Sequence, residues 1–367
     1  MSELGRREIV DRLMWARSQD CNDVWLAAGE RFAYERMGDV VVDPERFVTE
    51  EGLRAFVEEL LGDDEFNRQR LQETGTCRFA RTASYGRVRV RVYPRMGGRG
   101  LSIRLLPMRT PTLRELDLPP VVEELSYLPD GGLVVVSGAT GAGKSTMTAA
   151  MTDARLARVP GHAMIVGDPV EFIHTSRVSF IDHVEIGSEF ASGEEALETI
   201  LSARAHVVVP PELFTSREIE LAVTLAETNH AVFAQIHAST CREALLRLIQ
   251  AVSSTDGENG CARLAQSLVA IIATRLVKRV NTRDGQAARR AVVEILVNTP
   301  KVRSIIYDPT RIHSLADEMH SGQEWGMQTF ERHLEELMRR GQISKETRIF
   351  AEPADLLRDR LVGRRTA

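Results

Sequence analysis

The chain has 367 residues, with 47 Lys+Arg against 52 Asp+Glu and a formal net charge of -5; at roughly 150 residues per domain this is length for two or three domains. A hydrophobic content of 43% and a charged content of 27% exclude an intrinsically disordered chain, and no apolar run approaches the ~18 residues of a membrane span. The near-neutral charge balance argues against wholesale nucleic-acid binding, and four scattered cysteines without CxxC spacing argue against a disulfide framework or a zinc site.

In chain order, residues 1–19 are charged and lack the apolar segment of a signal peptide. Ile9, Leu13 and Trp15 space a helix over 7–17, and short strands are predicted at 24–28 and 32–34. Leu53, Phe56, Val57, Leu60 and Leu61 place one apolar face on a helix over 49–61, which Gly62 stops. Arg87-Val88-Arg89-Val90-Arg91-Val92-Tyr93 alternates strictly, so a strand with a valine face and an arginine face is expected. Gly97 and Gly98 turn it into a return strand at 101–105. The first 106 residues thus read as an N-terminal α+β domain, with a Pro-containing linker at 107–117.

From 118 to 367 the pattern changes. Short β-rich runs at 133–136, 163–166, 206–209 and 231–236 alternate with helical segments at 145–157, 193–203 and 215–228. That is the pattern of an α/β domain with a mostly parallel, doubly covered sheet. Capping-box pairs stand at Thr215/Glu218 and Thr240/Glu243. The last hundred residues are expected to turn helical, with Phe330, Leu334, Leu337 and Met338 on one face of a helix over 329–340.

The strongest motif is Gly138-Ala139-Thr140-Gly141-Ala142-Gly143-Lys144-Ser145-Thr146, which fits G-x-x-x-x-G-K-[ST] between a buried strand and a helix. Its glycines let backbone N–H groups point at a phosphate, and the helix N-terminus adds a positive dipole end. Lys144 is one of only four lysines beside 43 arginines. It is expected to reach the β- and γ-phosphates of ATP as a compact point charge, and Ser145 to place its hydroxyl on Mg²⁺. Such a site also needs an acid at the end of a neighbouring strand. Asp168 and Glu171 follow one predicted strand, and Glu212, a candidate Mg²⁺ partner through water, follows another.

With these motifs in place, the chain resembles the PilT-like branch of the type II/type IV secretion traffic ATPases over nearly its whole length. Gly167-Asp168-Pro169-Val170-Glu171-Phe172 is similar to the family's Asp box, Pro211-Glu212 to its Walker B site, and 230–239 to its His box, with His237 as the principal histidine. Arg275-Leu276-Val277, Glu294 to Pro300 and Gly326 to Phe330 are similar to its C-terminal pattern. The resemblance implies a RecA-like P-loop motor domain with a helical C-terminal tail, preceded by a PAS-like domain. It also implies Mg-ATP hydrolysis in a homo-oligomeric ring, a hexamer, at the cytoplasmic face of the inner membrane. Such a ring docks on platform or secretion-channel proteins. His237 would sense the γ-phosphate, and Arg89, Arg91 and Arg104 would reach a neighbouring subunit's nucleotide.

The motifs also depart from the family pattern. Gly167 stands where the family has a glutamate that serves as general base. Walker B reads Pro211-Glu212-Leu213-Phe214-Thr215 in place of Gly-Glu-x-Arg-Asp, and Ser202, with Arg204 nearby, stands where a helix arginine is usual. Three readings follow. The first is an active motor with Glu212 as its main catalytic acid, serving either pilus retraction or secretion and conjugation. The second is a nucleotide-binding ring subunit with weak or no hydrolysis. The third is a P-loop protein that binds nucleic acid through the arginine strand.

Overall fold

The computed structural model describes residues 2–36, 39–129, 131–280, 289–345 and 347; the end of the expected helical tail, 348–367, lies outside them. The packing of the chain separates two units. The first comprises 1–109 with 168–173 and 185–191, and the second comprises 110–167, 174–184 and 192–367.

The first unit is built on one seven-stranded sheet. Its strands are β1 (Ser2–Leu4), β2 (Cys21–Ala27), β3 (Arg31–Arg36), β4 (Asp39–Val48), β5 (Cys77–Ala83), β6 (Gly86–Arg95) and β7 (Gly98–Leu105). They lie in the order β1-β4-β3-β2-β7-β6-β5. The Arg/Val alternation does form a strand. Val88, Val90 and Val92 are fully buried, while the arginines between them face outward. The predicted helices appear at Arg6–Ser18 and Glu50–Leu61, and a third, Glu65–Thr74, follows. Thr49 accepts the N–H of Gly52 to start the second helix, and Gly62 ends it at φ 50°. Ile9, Leu13, Phe56, Leu60, Val90 and Ile103 close one core between helices and sheet. The sheet is larger than the sequence pattern suggests. β4 and β5 alternate poorly, because Asp43 and several arginines of these strands are held by ion pairs or carbonyls.

The second unit is an α/β sheet formed by β8 (Gly132–Ser137), β9 (His162–Gly167), β10 (Phe180–Glu185), β11 (Val207–Val209), β12 (Glu212–Leu213), β13 (Ala231–Ile236), β14 (Leu268–Lys278) and β15 (Arg289–Val297). The order is β10-β9-β11-β13-β8-β14-β15, with β12 pairing the end of β13 beyond β11. The four predicted buried strands are neighbours and mutually parallel. The helices Lys144–Arg158, Gly193–Ile200 and Ser216–Glu227 lie between them in sequence, and Cys241–Ser267 connects β13 to β14. The reading of the last hundred residues as helical needs correction. β14 and β15 run antiparallel over nine residue pairs before the helices Pro300–Tyr307, Leu315–Ser321 and Phe330–Arg339. Ile271, Ile272, Val292, Val293 and Ile295 are β-branched and buried, and they fit a pleated sheet better than a helix.

Candidate functional site

β8 is buried along its whole length and delivers the chain into the glycine loop 138–143. A side chain at Gly138 would meet Thr274 O at 2.7 Å and Ala142 Cβ at 2.9 Å, so the loop can lie against β14 only without one. Gly141 and Gly143 adopt left-handed φ values of 76° and 94°. The helix Lys144–Arg158 then starts without a side-chain cap, leaving its first N–H groups to an external acceptor. Ala139, Thr140 and Gly141 form the exposed tip, and Thr146 is half-buried in the first helical turn. An 800 Å³ cavity beside the loop is lined by Thr140, Ala142, Thr240, Arg242, Arg275 and Leu276, among others.

Lys144 is 7% exposed and folds back over the loop. Its Nζ donates to Gly138 O at 2.9 Å and to Ala139 O at 3.2 Å, and it lies 3.1 Å from Glu212 Oε1. That oxygen is buried and accepts no hydrogen bond from the described residues, so the Lys144 contact is an ion pair without hydrogen-bond geometry. Its lone pairs retain acceptor capacity. Ser145 Oγ donates to Gln235 Oε1 at 3.3 Å. Glu212 and Gln235 are register partners across β12 and β13. An ammonium, a hydroxyl, a carboxylate and a carboxamide thus meet at one end of a parallel sheet. This is where such sheets bind ligands, and the donor set suits a polyphosphate with a hard cation.

Gln235 lies within the His-box stretch 230–239, where the sequence pattern gives it no role. It is the single polar residue in β13, two positions before His237, and so shares that residue's side of the strand. His237 itself is exposed just past the end of β13. Its carbonyl accepts Arg247 Nη1 at 3.0 Å, while Arg247 Nη2 donates to Phe214 O at 3.2 Å. The Thr215/Glu218 capping box is complete. At the next helix Thr240 caps Glu243, but the returning carboxylate takes the N–H of Ser239 rather than that of Thr240.

The remaining expected site residues lie in the first unit. Asp168 follows β9, a direct neighbour of β11, yet its carboxylate pairs with Arg78 and its carbonyl accepts Arg89 Nη2 at 2.8 Å. Arg89 Nη1 is 3.1 Å from Glu171. Arg87 donates to Val170 O at 3.0 Å and pairs with Glu185, whose own pKa is pushed up by burial. Arg104 grips Asp23 with two bonds of 3.0 and 3.1 Å, which raises its pKa. Arg91 is exposed.

Residues 62–348 match the family model described as type II/IV secretion system protein. The chain belongs to that family. It is 35% identical over 284 residues to the type IV pilus ATPase PilU of Pseudomonas aeruginosa, covering 77% of this chain and 73% of the relative. The pilus retraction ATPase PilT of the same organism is 27% identical over 340 residues, covering 92% and 96%. A crystal structure of the pilus retraction motor PilT with bound ADP superposes with a TM-score of 0.81 at 26% identity, covering 94% of this chain and 97% of that one. The Legionella pneumophila ATPase DotB shares the fold, with a TM-score of 0.78 at 21% identity over 95% of this chain and 96% of that one. Membership in the secretion family agrees with the resemblance read from the loop and box motifs. Among the described residues no helix is long and apolar enough to cross a membrane.

Proposed function

We propose that the chain is a Mg-ATP-hydrolysing motor of a type IV pilus or secretion machine, acting as a homo-oligomeric ring. The observation that carries this reading is the meeting of Lys144, Ser145, Glu212 and Gln235 at the glycine loop. Lys144 binds the β- and γ-phosphates, exchanging its present partners, the Gly138 and Ala139 carbonyls, for phosphate oxygens. The loop N–H groups hold the same phosphates, and the cavity beside Thr140 and Arg275 receives the nucleoside. Ser145 and Glu212 would hold Mg²⁺, Glu212 through water; when bound, the cation would supply charge neutralisation across the phosphates. Gln235 orients the Ser145 hydroxyl. Glu212 also orients the attacking water, because the alternative acids are otherwise occupied: Asp168 by Arg78 and Glu171 by Arg89. In this reading the first unit is the PAS-like domain and the second the RecA-like motor, on the cytoplasmic side of the inner membrane. Its partners are other copies of the chain and membrane-platform or channel proteins.

Steady-state ATPase measurements on the wild type, Lys144→Ala and Glu212→Gln test the proposal. Turnover above both variants is expected, and equal background rates in all three would overturn it. Gly167, which offers no general base where a relative of this kind carries one, favours a second reading: a ring subunit that binds nucleotide and turns over slowly. ADP binding without turnover would select it. The nucleic-acid reading is disfavoured by the acids that occupy Arg78, Arg87, Arg89 and Arg104. Absence of DNA binding at low salt is the expected result.

A further inference from the structure

Glu212, the acid on which the proposed reaction depends, stands on the shortest strand of the second unit. β12 is two residues long and joins β13 through only two register pairs, Glu212 with Gln235 and Leu213 with Ile236. The next rung would be Phe214 opposite His237. Both carbonyls at that level are taken by one side chain. Arg247, from the second turn of the helix Cys241–Ser267, donates Nη1 to His237 O at 3.0 Å and Nη2 to Phe214 O at 3.2 Å. A planar fork can satisfy two carbonyls at once, which an ammonium on a single stem cannot do in the same geometry. We propose that Arg247 is a positioning residue: it closes the ladder beyond its last backbone pair and holds Glu212 in line with Gln235, Ser145 and Lys144. This rests on the hydrolysis reading above and adds to it a device that couples the His237 turn to the catalytic acid.

The surroundings separate this role from simple support of the helix. The N-terminal turn of Cys241–Ser267 is anchored without Arg247. Thr240 caps Glu243, Glu243 takes the N–H of Ser239 at 2.7 Å, and Glu294 takes the N–H of Cys241 at 2.7 Å. Arg275 holds Ser239 O at 3.1 Å. On the other side, Leu213 is buried but Phe214 is 64% exposed, so packing alone ties down little of the chain after β12. The N–H groups of Phe214 and Thr215 are held separately by Glu218, at 2.8 and 2.9 Å. Loss of Arg247 therefore frees the Phe214 and His237 carbonyls, and with them the link between the two turns, while the helix stays seated.

The experiment uses the full chain and the Arg247→Lys and Arg247→Ala variants. Expected is a kcat reduced about tenfold to a hundredfold, the scale of a misplacement near 1 Å. KM for ATP and the Kd of a fluorescent ADP analogue stay within about threefold, since binding resides in the loop. Amide exchange should speed up at 212–213 and 236–238 and stay unchanged in the helix and at Phe214, Thr215 and Ser239, whose N–H groups are held by Glu218 and Glu243. Lys keeps the charge but not the fork, so it should rescue only part of kcat. A kcat within twofold of wild type, full rescue by Lys, or exchange faster throughout the helix would each overturn the proposal. If the wild type itself shows no turnover, the hydrolysis reading fails, and the exchange pattern alone decides whether Arg247 clamps the two turns.

Discussion

The Lys144 ammonium and the Glu212 carboxylate lie 3.1 Å apart, and the same ammonium bonds two carbonyls of the glycine loop. The charge that would meet a phosphate is thus held inside the loop by groups it must leave. The two residues should therefore fail differently. Lys144→Ala removes the phosphate contact and should abolish nucleotide binding, seen as loss of signal with a fluorescent ADP analogue. Glu212→Gln keeps the shape of the side chain and leaves the loop intact. Binding should persist while turnover falls by about 10²–10⁴-fold, as for loss of a general base.

Ser145 Oγ is aimed by Gln235 Oε1 at 3.3 Å. Gln235→Ala removes that acceptor without touching the loop. Turnover should fall about tenfold at limiting Mg²⁺ and recover partly as Mg²⁺ is raised, whereas ADP affinity measured in EDTA should not change. A Mg²⁺ titration of the ATPase rate checks this.

His333 Nδ1 accepts the N–H of buried Val293 at 3.0 Å, tying the helix Phe330–Arg339 to β15. Burial, with Arg290 nearby, pushes the imidazole pKa down to about 4. The folded state binds this proton less readily than the unfolded chain, whose histidine titrates near 6.5. The stability tied to the neutral ring is therefore fully present above pH ~6.5 and is lost as pH falls from there towards 4. Full loss would amount to about 3 kcal/mol. Burial of His230 also lowers its pKa, and this acts in the same direction. Melting temperature should drop between pH 7 and 5. His333→Gln, whose carbonyl can still accept the Val293 N–H, should flatten that slope.

The parts legible in the sequence are those where one physical requirement governs a run of residues. Buried parallel strands read as continuous apolar runs, the phosphate loop needs its glycines and Lys144, and Val88, Val90 and Val92 mark a half-buried strand. Other parts depend on pairings distant in the chain. β12 is only two residues long and exists because β13 lies beside it. Gln235 gains a role only when Ser145 is brought opposite it. Asp168 and Glu171 follow the strand that sequence places beside β11. Their arginine partners, Arg78 and Arg89, lie 90 and 82 residues away, beyond the reach of local patterns. β14 and β15 were hidden by the helices that follow them and show themselves only through their β-branched content.

Arg17 closes the first unit's core from the end of its first helix. Its guanidinium donates to Tyr85 O at 2.6 Å, Leu106 O at 2.7 Å and Arg87 O at 2.9 Å, and burial lowers its pKa. These carbonyls lie at the turn into β6 and just beyond the end of β7, so one side chain fastens both ends of that hairpin to the helix. Hydrogen bonds to a charged group contribute about 1.5–3 kcal/mol each, and leaving several partly buried acceptors without a donor does not add fully. Arg17→Ala should therefore cost about 2–4 kcal/mol. Arg17→Lys should recover less than half of that, since a single ammonium cannot reach three carbonyls in a fixed fork. Trp15 and Trp25 belong to the first unit and Trp325 to the second. With Trp325 replaced by Phe, fluorescence-detected urea unfolding follows the first unit alone. A midpoint in Arg17→Ala equal to that of the parent would show that the three bonds are replaced by water at no net cost.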